Sequence, residues 1–314
     1  MKKVNFVLLS IIPLILTAQQ DSQVSFYQQN PQLYNPAATG LGDHPILSSS
    51  LRSQWTGVEG APVVQAFNLS VPGGEKKLGY GAYIVVDKTF VERQTRLFST
   101  FSYRVPVGKN KLLYLGIQGG GNHINLNYNE INVAHQDDGE LENITRFYPN
   151  IGLGIHFKSN NTYFSVAAPL LFGHRKTKSN DAISSVPADD PHLYFSTGTR
   201  VPILKKHWEI IAHSLLRWVQ YAPPSAVFNL GIGYQKSEFL FTHQHRTSFG
   251  LSFFFDSNGI MSAGYAYQFP THKLTSQLKT GNHELILRIK FKPKKMTPLE
   301  HKEDGDLDPQ MMIN

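Results

Sequence analysis

From residue 46 onward the chain is written in runs of roughly ten residues in which greasy positions alternate with small or polar ones. Alternation with period two marks a strand with one apolar face. In SFGLSFFFD (248–256), Phe249, Leu251, Phe253 and Phe255 share one parity, and Ser248, Gly250 and Ser252 take the other. AVFNLGIGY (226–234), GIMSAGYAYQF (259–269) and HELILRIKF (283–291) repeat the scheme, the last setting Leu285, Leu287, Ile289 and Phe291 against Glu284, Arg288 and Lys290. Helical periodicity is nearly absent. The pattern predicts fourteen strands, at 46–54, 62–71, 78–87, 94–105, 111–122, 148–157, 162–168, 192–199, 208–218, 226–235, 238–242, 247–256, 259–269 and 282–291. Strands of about 9–11 residues with one apolar face are what a transmembrane antiparallel β-barrel requires.

The joints separate a barrel from a soluble sandwich. Joints from an even to an odd strand are short and turn-like, as in Pro106–Asn110 and Lys158–Asn161, whereas the opposite parity holds the two longest, 123–147 and 169–191, and also 270–281. A barrel with both termini in the periplasm puts its short turns there and its long loops outside the cell. Three of the short turns open on Val-Pro, at Val71, Val105 and Val201. Aromatic residues fall near many strand ends (Trp55, Tyr103, Phe147, Trp208, Trp218, Phe291), where interfacial girdles need them, although an aromatic-rich β core would look alike.

The N-terminus changes the setting. Lys2 and Lys3 precede an apolar run from Val4 to Leu16 and small residues at Thr17 and Ala18, the form of a secretory signal peptide over 1–18. Export by the general secretory pathway to the outer membrane of a Gram-negative cell is the expectation. There are 0 cysteines, so disulfides and thiolate metal sites are excluded. The net charge of +7 is spread through short turn-like spots, without the basic, aromatic-studded patch of a nucleic-acid binder. Residues 19–45 precede the barrel (46–291), and the polar, Pro- and charge-rich 292–314 form an expected periplasmic tail.

Candidate chemistry is sparse. His156 and Ser252 both lie on small-residue parities, but nothing in the sequence brings them together as acyl transfer demands. His243 and His245 alternate like the start of a metal site without a third ligand. The glycines of GIQGGGNH (116–123) lack the following helix of a phosphate cradle and suit strand-end packing or a bulge. Asp137, Asp138, Glu140 and Glu142 have calcium-like spacing, though a solvated or partner-facing acidic loop is the plainer reading. No catalytic, cofactor or metal residues are assigned.

The opening QDSQVSFYQQNPQLYNPAATG (20–40), LRSQWTGVEGAPVVQAFNLSVP (51–72), LGYGAYIVVDK (78–88), FSYRVPVGKNKLLYLGIQGG (101–120) and the closing GNHELILRIKF (281–291) together resemble the PorP/SprF family of outer-membrane barrels associated with type IX secretion and gliding motility. The resemblance covers nearly all of 20–291, most specifically at its two ends; the acidic loop matches only in part, and the tail is longer than usual. It implies a non-enzymatic protein that docks or anchors a secreted or surface partner such as an adhesin, in contact with secretion components, with outer-membrane lipid and lipopolysaccharide around it and periplasmic envelope proteins reached through the tail. Gliding motility is part of that implication. The alternative is a channel for small molecules, because fourteen strands enclose a bore that strand side chains alone do not fill. Two Asn-Pro pairs stiffen 29–40 against both helix and strand. Tyr27, Asn30, Pro31, Leu33, Tyr34, Asn35 and Pro36 are therefore candidates to line or plug the lumen or to meet a partner. Arg52 and Trp55 are added as a planar donor near an indole at the loop-side rim, and Asp137 and Asp138 as loop contacts.

Overall fold

The computed structural model describes residues 25–74, 77–127, 143–172, 191–203, 207–220, 222–271 and 280–291. Fourteen strands form one closed antiparallel barrel in which each pairs with its sequence neighbours and the last pairs with the first. They are β1 (Ile46–Ser53), β2 (Val63–Pro72), β3 (Leu78–Thr89), β4 (Glu92–Gly108), β5 (Lys111–Leu126), β6 (Ile144–Ser159), β7 (Thr162–Leu170), β8 (His192–Ile203), β9 (Trp208–Val219), β10 (Ser225–Tyr234), β11 (Ser237–Gln244), β12 (Ser248–Asp256), β13 (Met261–Pro270) and β14 (Asn282–Lys290). Each expected strand is present. Closure leaves no edge of the wall for lipid to meet unpaired backbone.

The two faces of the wall follow the sequence alternation. On β12, Phe249, Leu251, Phe253 and Phe255 are exposed while Ser248 and Ser252 are buried. Leu285 and Leu287 of β14, Leu230 of β10 and Ile117 of β5 likewise point outward. A greasy exterior over a small and polar interior is the inverse of a soluble domain and suits a wall solvated by lipid. At the rims, Tyr103, Phe147, Trp218 and Phe291 are exposed.

One rim carries the short turns. Asn110 and Asn160 turn the chain there with left-handed φ of 59° and 50°, a conformation asparagine tolerates better than most residues. The other rim is uneven, from the two-residue joint 90–91 to the span 171–191. β4, β5 and β6 have 17, 16 and 16 residues against 8 or 9 in β1, β11, β12 and β14. The expected loop 123–147 is thereby shortened. β5 runs on to Leu126 and β6 begins at Ile144, because Ile124 and Leu126 find a small cluster of their own with Ile144 and Tyr148. The glycines of 116–123 stand inside β5 in unbroken register with both neighbours, so neither the bulge nor the strand end expected there occurs. The registers shift instead between Pro106 and Gly108 and between Ala167 and Leu170.

Candidate functional site: the occupied lumen

Residues 25–40 lie within the barrel, and 41–45, half-buried to exposed, lead from it to β1. Their conformation comes from the two Asn-Pro pairs, each of which starts a 3-10 turn, Pro31–Leu33 and Pro36–Ala38. Proline suits the first position of such a turn because its missing N–H is one that would have no partner there. The side chain of Asn35 caps the second turn by accepting from the Ala37 amide at 2.8 Å, and its amide group donates to the Ile155 carbonyl of β6 at 3.0 Å. One residue thus shapes the segment and ties it to the wall.

Polar side chains hold most of the remainder. Gln29, Asn30, Gln32 and Asn35 are all buried. Burial of an amide is costly where its hydrogen bonds are not replaced; three of the four replace at least some of theirs, whereas Asn30 Oδ1 has no partner. Gln32 Nε2 donates to Thr100 Oγ1 at 3.0 Å and to the Leu69 carbonyl at 3.2 Å. Ser102 Oγ donates to the Thr39 carbonyl at 2.6 Å, and Gln29 Nε2 to Glu238 Oε2 at 3.2 Å. Asn229 Nδ2 donates to the Ser25 carbonyl at 2.9 Å. Apolar contacts fill the gaps: Tyr27 packs with Tyr194, Leu215 and Val227, Tyr34 stands 5.5 Å from the Tyr194 ring, and Leu33 rests on the cluster of Val64, Tyr83 and Phe98. Burial pushes the Tyr27 phenol well above its ordinary pKa, which keeps it neutral.

The wall makes room by omission. A Cβ on Gly116 would collide with the Ala37 backbone, and one on Gly154 with the Asn35 side chain. Glycine at these two inward positions allows the segment to approach β5 and β6 closely.

The tightest attachment is at the seam that closes the barrel. Arg52 of β1 and Glu284 of β14 stand directly opposite each other, 2% and 1% exposed, with Nη1 to Oε2 at 3.4 Å. Glu284 also accepts the Ser25 amide at 2.6 Å and the Phe26 amide at 3.1 Å. Arg52 Nη2 donates to Gln268 Oε1 at 2.8 Å, and Gln268 Nε2 donates to Ser25 Oγ at 2.8 Å. Arg52 therefore faces the lumen, spent on the seam. Trp55 stands apart in the β1–β2 joint, half-buried, with a left-handed φ of 47°. Asp137 and Asp138, with Glu140 and Glu142, lie outside the described residues, as do 1–24 and the tail 292–314.

The sequence reading passed over Ser25, Gln29, Gln32, Gln268, Asn229, Glu238 and Glu284. A signal for Glu284 existed: it is a carboxylate on the small-residue parity of its strand, where only an internal partner makes burial tolerable.

Towards the short turns the lumen stays open in a cavity of about 360 Å³, lined among others by Tyr27, Tyr34, His156, Tyr163, Arg200 and His213. His156 Nδ1 lies 2.6 Å from Ser165 Oγ, across the β6–β7 hairpin, and its ring stacks on Tyr163. Ser252 is on the far wall, with its hydroxyl buried and without a hydrogen-bond partner. His156 and Ser252 stand apart, in keeping with a sequence that held no reason to pair them, and the His156–Ser165 pair has no carboxylate bound to its imidazole among the described contacts. His243 and His245 are exposed, and among the described residues no three His, Cys, Asp or Glu groups gather as a metal site.

A family model described as type IX secretion system membrane protein PorP/SprF matches residues 16–289. No curated protein matches the chain. Among solved structures, Omp33 of Acinetobacter baumannii is 8% identical, over 81% of this chain and 100% of that one, with a TM-score of 0.47. CymD, a monoaromatic hydrocarbon channel, is 11% identical over 83% and 91%, with a TM-score of 0.49. The KdgM porin is 6% identical over 79% and 99%, with a TM-score of 0.39.

Proposed function

The chain belongs to the PorP/SprF family of type IX secretion system membrane proteins, and from that premise we propose that it is a non-enzymatic outer-membrane scaffold that docks a secreted or cell-surface protein. In this reading the long-loop rim faces outward and receives the partner, and the short turns and the tail face the periplasm. The observation that carries the proposal is the occupied lumen. A barrel that commits carboxylate, amide and hydroxyl groups from many strands to holding its own N-terminal segment, Ser25 to Gly40, is built as a rigid body rather than as an open conduit. Rigid walls and a fixed rim lower the ordering cost of binding a partner.

The tall β4–β6 section supports the same reading. Only part of the wall is needed to span a bilayer, and strand beyond that height offers a preformed surface at the rim. The test is affinity purification of the tagged full-length chain from its native cells, paired with planar-bilayer recording of the purified barrel. Recovery of a secretion component or surface protein together with a silent bilayer is the expected result. A steady open conductance with nothing co-purifying would replace the scaffold with the channel reading.

A further inference from the structure

The cavity on the short-turn side is not explained by docking at the opposite rim. Its mouth lies at the β6–β7 turn, where Asn160, Asn161 and Thr162 line it, and its volume of about 360 Å³ sits at the small end of the ~300–1,000 Å³ typical of ligand sites. One part of its lining is aromatic and aliphatic, with Tyr34, Tyr163, Tyr194, Leu215, Ala167 and Phe254 set among polar residues. An apolar ring would be well accommodated there.

The polar atoms give the ligand its second half. Five of the lining residues carry a buried side-chain atom without a hydrogen-bond partner: Tyr27 Oη, Gln28 Nε2, Gln29 Oε1, His213 Nε2 and Arg288 Nε. Tyr27 is 2% exposed and His213 9%. Fifteen other buried side-chain atoms of the described residues also lack a partner; what sets these five apart is that they share one open space in which a polar molecule can reach them. Tyr27 Oη, Gln28 Nε2 and Arg288 Nε can all donate, and His213 Nε2 donates whenever its Nδ1 accepts from the Tyr163 hydroxyl, 3.2 Å away. Only Gln29 Oε1 asks for a donor. The set therefore suits a molecule rich in acceptors with a single N–H or O–H.

Charge agrees. Arg200 is engaged by Glu238 at 2.6 Å and Glu209 at 3.4 Å. Arg288 and Lys158 also line the cavity, and neither forms an ion pair among the described residues. Among the lining residues three cations face two carboxylates, and Asp256, just outside the lining, attracts Arg288 without contacting it. We propose that this cavity binds a small organic carboxylate with an apolar, ring-sized body, its acid group directed to Arg288 and its ring held among the tyrosines. Planar, forked donation by arginine is well matched to a carboxylate.

The test uses the mature full-length chain refolded in detergent micelles, with N-acetylphenylalanine as the probe and N-acetylphenylalanine amide as the uncharged control. Titration calorimetry and saturation-transfer NMR should show saturable binding of the acid, with the amide about tenfold weaker, as expected for loss of one charge-assisted contact. Arg288→Gln should bring the acid down to the level of the amide. Ala167→Trp, which fills the apolar end, should abolish binding of both. Heat-modifiable migration on gels checks that each variant folds, and Tyr27→Phe replaces Arg288→Gln if that barrel does not close, with a smaller loss specific to the acid. No saturable binding of the acid would mean that the cavity holds water only and would overturn the proposal. Equal binding of acid and amide, or an acid affinity unmoved by either arginine or tyrosine replacement, would overturn it as well.

Discussion

Replacing Glu284 by Gln isolates what the seam contributes. The substitution keeps shape and hydrogen-bonding capacity but removes the charge that Arg52, 2% exposed, faces at 3.4 Å. Breaking a buried pair from one side leaves the other charge uncompensated, a loss of about 3–5 kcal/mol. The two amide bonds from Ser25 and Phe26 weaken in addition, because hydrogen bonds to a charged group contribute about 1.5–3 kcal/mol each and neutral ones about half of that. These terms share one network, so they overlap; a net loss of about 4 kcal/mol is the working figure. Gln268 offers Arg52 a neutral acceptor at 2.8 Å, which does not replace the charge. The assay is reversible guanidinium unfolding in lipid nanodiscs or detergent, followed by tryptophan emission and by protease sensitivity of the N-terminal segment. Glu284→Gln should lower stability and expose the segment to cleavage. Arg52→Met with Glu284→Leu, which removes both charges, should recover most of the barrel stability while leaving the segment loose. If Glu284→Gln costs less than about 1 kcal/mol, and the segment stays protected, the seam is not what seats it.

Asn35→Ala removes the cap on Ala37 and the bond to the Ile155 carbonyl; a loss of about 1–2 kcal/mol with local loosening of Pro36–Ala38 is expected from hydrogen exchange. Gly154→Val puts a branched side chain where Asn35 lies, so the segment should shift from β6, read as new cleavage within 25–40 at a cost of about 1–3 kcal/mol. Leu287→Arg, on the outward face at 58% exposure, should destabilise by about 2–4 kcal/mol in bilayer but far less in the denaturant-solvated state; equal stability in lipid would deny that this face meets hydrocarbon.

The strands were legible because a barrel wall is made of local alternation. SFGLSFFFD separates its two faces without any knowledge of its neighbours, and all fourteen strands stand where alternation placed them. Strand ends were less so: Ile124 and Leu126 continue the alternation, but only the partner residues Ile144 and Tyr148 show that it is still strand. The lumen was legible only in part. Asn-Pro stiffness singled out 29–40, whereas the glycine run that holds Gly116 suited strand-end packing or a bulge, and nothing local marked Gly154; the close approach of Ala37 and Asn35 explains both. Arg52 and Glu284 are 232 residues apart, and no local pattern pairs them. Their meeting is a property of closure.

That property bears on the order of assembly. Ser25 and Phe26 are received by a carboxylate from the final strand, which is itself held in place by an arginine of the first. In an open sheet the two halves of this berth are on opposite edges, so Ser25 and Phe26 find the paired carboxylate only once the last strand meets the first. Seating of Ser25 and Phe26 is thereby tied to completion of the ring. A cell that degrades barrels whose first ordered residues are loose would by that means alone remove unfinished barrels and spare finished ones.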